Sequence, residues 1–167
     1  GFIFYALKKR HIVKQGIKIL PWIQAYYLNI YPAPSMRKKL FKAMFKDAKA
    51  SELQDIAEEY AYQLMSQLDV KIYQQLLDHQ AQGDDVVLVS ASVDIYLEII
   101  CYLLKIDLIC TGTEILNGQF TGTYSTPDCS SEQKKIRVLE KYNLARYQNI
   151  YAYGNSEEDL ELLSLAD

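Results

Sequence analysis

Val86-Val87-Leu88-Val89-Ser90-Ala91-Ser92 is the stretch from which the rest of the chain can be read. Four consecutive aliphatic residues without polar alternation describe a short strand covered on both faces, as in a parallel sheet. Gly83 and Asp84-Asp85 close the helix before it, whose apolar face is Val70, Tyr73, Leu76 and Leu77. After it, Ile95, Leu97, Ile99, Ile100 and Leu103 make residues 93–104 an amphipathic helix. Asp107-Leu108-Ile109-Cys110 reads as a second strand. Asn117-Gly118 then supplies a two-residue turn between Thr113–Leu116 and Gln119–Thr123, a hairpin. A helix over 131–142, a third core strand Asn149-Ile150-Tyr151-Ala152-Tyr153 and a final helix over 156–165 complete the pattern. Strands alternating with helices predict an α/β fold with a parallel sheet and right-handed crossovers. Ligand sites in such sheets lie beyond the carboxyl ends of the strands. That directs attention to the residues after Val89, Cys110 and Tyr153.

Residues 1–68 read as helices only. Pro32 and Pro34 separate an aromatic helix from a basic one containing Met36, Leu40 and Phe45. Ser51 with Gln54 has the form of a capping box, followed by Leu53, Ile56, Ala57, Tyr60 and Leu64 at helical spacing. The expected organisation is a helical domain, 1–68, and an α/β domain, 69–167. The chain opens at Gly1 without Met and stops at Asp167 directly after an apolar helical pattern, so truncation at both ends is expected. The aromatic run 17–31 is interrupted by Lys18, Pro21, Gln24 and Asn29, and falls short of the about 20 apolar residues of a spanning helix. Its Trp22, Tyr26 and Tyr27 are expected to pack inside the helical domain. Contact with a membrane surface, aided by Lys8, Lys9, Arg10, Lys14 and Lys18, is the alternative.

The chain has 167 residues, 50% hydrophobic and 23% charged, an ordinary composition for a domain with a core. A formal net charge of -3 gives no reason to expect nucleic acid as a partner. Cys101, Cys110 and Cys129 are odd in number and form no C-x-x-C, so a disulfide framework is not expected and a cytoplasmic location is. His11 and His79 lie on helical segments without partner motifs and are expected to be surface residues or part of the helical domain.

Three groups of residues could carry chemistry. Ser90 and Ser92 sit where the first strand opens onto the next helix, whose free N–H groups favour an anion; each is also an ordinary helix cap. Lys134 and Lys135 begin the following helix, where an ammonium could reach a phosphate oxygen; exposed lysines are equally common there. Asn155 and Asp159 follow Gly154 and lie four apart, so both oxygens fall on one helix side and could serve a hard cation, or simply cap the helix.

The order of these groups resembles the haloacid dehalogenase superfamily, and most closely its phosphoserine-phosphatase-like branch, subfamily IB. Residues 86–92 look like that family's second motif. Gly-Asn-Ser-Glu-Glu-Asp-Leu-Glu-Leu-Leu at 154–163 looks like its fourth, normally Gly-Asp-Ser-x-x-Asp. Thr111-Gly112-Thr113-Glu114, Asn117-Gly118 and Thr121-Gly122 resemble the hairpin region between them, and Cys129 to Lys134 the approach to the third-motif lysine. Residues 1–68 sit where that family carries its cap. The resemblance implies a Rossmann-like core with an α-helical cap. It also implies a Mg²⁺-dependent phosphatase acting on a small phosphorylated metabolite through an aspartyl-phosphate; a lipid phosphate remains the alternative to the metabolite. By the same resemblance, Ser90 and the Ala91 N–H hold the phosphoryl group and Lys134 offsets its charge, with Lys135 as the neighbouring choice. Asn155 ligates the metal, and Asp159 serves the metal shell or Lys134.

The sequence departs from the family twice. The first motif, Asp-x-Asp-x-Thr, which carries the nucleophile and the general acid, is absent; it and its strand would precede Gly1, and the chain as it stands is expected to be inactive. Asn155 replaces the usual aspartate, which implies weaker Mg²⁺ binding. Both departures allow a rival reading, a non-catalytic or weakly active phosphate-binding relative. A third, a helical interaction module joined to an inert α/β domain, predicts no phosphate binding.

Overall fold

The computed structural model describes residues 1–9 and 33–167. His11, Trp22, Tyr26, Tyr27 and the run 17–31 lie outside the described residues.

The parallel pair β1 (Val87–Val93) and β2 (Asp107–Thr111) is joined by helix α5 (Asp94–Leu104), the crossover that the apolar spacing predicted. Lys105 ends α5 in the left-handed conformation, φ 54°. The hairpin β3 (Thr113–Leu116) and β4 (Gln119–Tyr124) forms as expected. Asn117 and Gly118 both take positive φ, 51° and 76°, as a turn matching the strands' twist requires. Helix α6 (Glu132–Lys141) follows, then two single 3-10 turns and the short helix α7 (Leu160–Leu163).

Before the sheet come α1 (Phe2–Lys9), α2 (Ala33–Phe45), α3 (Ala50–Met65) and α4 (Val70–Gln82). The expected capping box at Ser51 does not form. The cap residue is Lys49, two residues earlier, where the Ala50 N–H donates to the Gly118 carbonyl at 2.9 Å and Lys49 bridges Gln119. The hairpin tip thus takes over the capping role. Leu53, Ala57, Tyr60 and Ala61 on α3 are buried. They join Phe2, Phe41 and Phe45 from the other helices, and Tyr96, Leu97 and Ile100 from α5, in one cluster that also takes in Cys110 and Phe120. Phe2 stacks on Tyr96 at 5.2 Å between ring centres, and Phe41 meets Phe120 edge-on at 6.2 Å. One core therefore runs across the compositional boundary near residue 68. No helix among the described residues is long and apolar enough to cross a membrane.

Two expectations fail. Residues 149–153 form no strand, and α4 buries none of its residues, with Val70 80% exposed and Ile72 57%. A strand exists through its ladder partner, and among the described residues β1 is hydrogen-bonded only to β2. The Ile150 N–H donates instead to the Asp167 carboxylate at 2.8 Å, and the Ile150 carbonyl accepts from the Asp167 N–H at 3.2 Å. Between the second edge of β1 and residues 150–153 lies an apolar slot of about 330 Å³, lined by Val87, Val89, Ile150 and Ala152 and by Ile72 and Leu76 of α4.

Candidate active site

The carboxyl end of β1 carries a local irregularity. Ser90 pairs with Cys110, yet the next ladder pair is Val93 with Thr111, so Ala91 and Ser92 bulge from the sheet. The strand thus runs to Val93, and neither serine caps α5, whose cap residue is Val93. The Ser92 N–H donates to Ser90 Oγ at 3.1 Å. That leaves the Ser90 hydroxyl hydrogen available to another acceptor. Thr111, fully buried, donates to the Ala91 carbonyl at 3.0 Å and accepts from the Cys129 N–H at 3.0 Å. It fixes the bulge to the loop that leads into α6.

Helix α6 starts after Ser131, whose φ of 47° lies in the left-handed region, and directs Lys134 inward. Lys134 is only 6% exposed and its ammonium donates to Asp159 Oδ1. Lys135 points elsewhere, to Ser164 Oγ at 3.0 Å. The other oxygen of Asp159 accepts from the Asn155 N–H and the Ser156 N–H, both at 3.1 Å, and from Ser156 Oγ at 2.8 Å. Burial would raise the Asp159 carboxyl, but Lys134, Ser156 and the Asn155 N–H outweigh it and hold it at about 2. Gly154 is required here: a Cβ would fall 2.7 Å from Asp159 Cβ.

These elements enclose a cleft of about 750 Å³ lined by Ser90, Ala91, Ser92, Lys134, Asn155 and Asp159, among others. All site residues expected from the sequence therefore meet on one cleft, Lys134 among its walls and Lys135 not. A charged lining residue from the helical segment was not expected. Arg37, from α2, donates through Nε and Nη2 to the two oxygens of Asp128, at 3.1 and 2.9 Å, and through Nη1 to Glu158 at 3.1 and 3.4 Å. In the sequence Arg37 is one cation in the run Arg37-Lys38-Lys39, with nothing to distinguish it from a solvated helix face.

The cysteines supply no nucleophile. Burial pushes the Cys101 thiol up to about 11 and the Cys110 thiol up to about 12, so both stay protonated. Among the described residues no group of three or more His, Cys, Asp or Glu side chains could hold a metal ion. Asp159 is fully engaged with Lys134 and the residues beside it. Asn155 is exposed, and among the described residues its carboxamide has no partner, so one oxygen ligand is free at the cleft.

The bulge of a parallel α/β sheet, a buried lysine and a Gly-Asn-Ser-x-x-Asp turn thus share one cleft. The chain belongs to the haloacid dehalogenase-like hydrolase family, whose model matches residues 2–164. Its fold is similar to that of a protein of unknown function from Bordetella pertussis Tohama I, at TM-score 0.84 and 22% identity, covering 98% of this chain and 77% of that one. It is also similar to a HAD family hydrolase from Salmonella enterica subsp. enterica serovar Typhi (TM-score 0.74, 17% identity, 99% of this chain and 55% of that one). A third similar structure is a probable phosphoserine phosphatase from Vibrio cholerae (TM-score 0.73, 16% identity, 99% and 49%). The chain thus spans about half of the latter two. No curated protein matches the sequence.

Proposed function

We propose that this chain belongs to a phosphomonoester hydrolase acting on a small phosphorylated metabolite. The observation that supports it is the convergence of the Ser90–Ser92 bulge, Lys134 and Asn155 on one cleft. The Ser90 hydroxyl and the Ala91 N–H hold phosphoryl oxygens. Lys134 offsets their charge, and Asp159 fixes the ammonium and the Asn155 turn together. Such preformed charge complementarity is the main source of rate in phosphoryl transfer.

The apolar slot beside β1 is where a strand carrying Asp-x-Asp-x-Thr fits, pairing with β1 on one side and residues 150–153 on the other. Its first aspartate, at the carboxyl end, attacks phosphorus to form an aspartyl-phosphate while its second protonates the departing alkoxide oxygen. Water then cleaves the acyl phosphate, releasing inorganic phosphate and the aspartate. Mg²⁺ keeps several waters and takes few protein ligands, and the single free oxygen of Asn155 fits that habit. When bound, the ion neutralises phosphate charge.

The same Asn155, neutral where the family usually has a carboxylate, favours a second reading, a weakly active or non-catalytic phosphate binder. Turnover separates the two. The full-length protein is expected to release phosphate from an aryl phosphate in Mg²⁺ and to stop in chelator. Equal turnover in both removes the metal; phosphate binding without turnover leaves the binder.

A further inference from the structure

The Arg37 cluster sits at the mouth of the cleft and is not symmetric. On one side the guanidinium meets Asp128 end-on with two parallel hydrogen bonds, the geometry that fixes its plane. Asp128 is the more buried acid, its side chain 14% exposed. On the other side a single nitrogen, Nη1, is shared unequally between the two oxygens of Glu158, whose side chain is 33% exposed. Glu158 lies between Asn155 and Asp159 in the turn that holds Lys134, and Arg37 and Glu158 both line the cleft, which Asp128 does not.

Two carboxylates on one guanidinium leave an excess negative charge at the entrance to a site that takes an anion. An arriving phosphate oxygen is repelled by Glu158 and attracted by the nitrogen that Glu158 occupies. Resting on the anion-site reading above, we propose that Arg37 is a further phosphate ligand, supplied by α2 and anchored by Asp128, whose Nη1 edge exchanges Glu158 for an oxygen of the bound phosphate. With Asp128 as pivot, α2 stays held to the core whether or not phosphate is present, and only the Nη1 partner changes.

The proposal makes two substitutions in one ion pair act in opposite directions, which a purely structural clamp cannot do. Inorganic phosphate is titrated calorimetrically at low ionic strength onto the wild-type chain, R37A, E158Q and the double variant. R37A is expected to bind about tenfold more weakly, the loss of one charge-assisted contact. E158Q is expected to bind about fivefold more tightly, since a competitor and a like charge are both gone. In the R37A background the gain from E158Q should largely vanish. Equal affinities of wild type and R37A, or an E158Q gain that persists undiminished without Arg37, overturn the exchange while leaving the phosphate site intact. Absence of phosphate binding by the wild-type chain overturns the site itself, and the exchange with it. Should R37A not fold, E158Q alone decides: weaker or unchanged affinity there refutes the exchange.

Discussion

Asp159 joins the greatest number of separate functions in the fewest atoms. One oxygen holds the Lys134 ammonium and the other gathers the backbone of Asn155 and Ser156, so position of the cation and shape of the turn are set by one carboxylate. Its titration has a signed consequence. The folded chain holds Asp159 at about 2, below the ordinary 3.8, so the folded state takes up this proton less readily than the unfolded one. The stabilisation is complete above about pH 4 and is lost as pH falls toward about 2; its size is about 2 kcal/mol. Denaturant unfolding followed across that window should show this fall in the wild-type chain and a flatter profile in Asp159→Asn. An identical slope in both would remove Asp159 from the acid response. The motif made Asp159 a candidate; its double engagement could not be read there, because spacing of four residues permits a ligand, a cap or an ion pair alike.

At the scale of elements, the informative places are those where a correctly patterned segment did not become what its pattern describes. Residues 150–153 are a continuous apolar run that includes the β-formers Ile150, Tyr151 and Tyr153, yet Ile150 is hydrogen-bonded to Asp167 and no ladder forms. Helix α4 is amphipathic, with a side-chain cap at Asp69 and a left-handed Gly83 at its end, but Ile72 and Leu76 line an open slot and Val70, Tyr73 and Leu77 are exposed. Local preference is a property of the segment; pairing and burial belong to the neighbour. Amide exchange should therefore be fast at residues 151–153 and slow in the β1–β2 ladder of this chain. When a strand bearing the Asp-x-Asp-x-Thr motif is present upstream, 151–153 should become protected. Protection that does not change would mean that the slot takes no strand.

Across the whole molecule, one hydrophobic cluster connects the all-helical segment to the α/β segment. Phe41 on α2 is fully buried against Phe45, Phe120 and Tyr124, so it touches both. Phe41→Ala should cost about 3–5 kcal/mol. Unfolding should remain a single transition seen alike by probes in α3 and in the sheet; two separate transitions would show that the segments are energetically independent. Because α2 also carries Arg37, loosening this core should weaken phosphate binding without touching a ligand.

The sequence alone determined the β1–α5–β2 crossover, the Asn117-Gly118 hairpin, and Ser90, Lys134, Asn155 and Asp159 as candidates. Each of these follows from short-range constraints: apolar periodicity, a turn that needs positive φ, and small polar residues where a parallel strand stops. Only the tertiary structure decided that Lys134 enters the cleft while Lys135 leaves it, that Ala91 and Ser92 bulge, that residues 149–153 stay unpaired, and that Arg37 reaches the site from a helix more than fifty residues before Ser90. These depend on which distant groups arrive within hydrogen-bonding distance, and no local pattern encodes the identity of a partner.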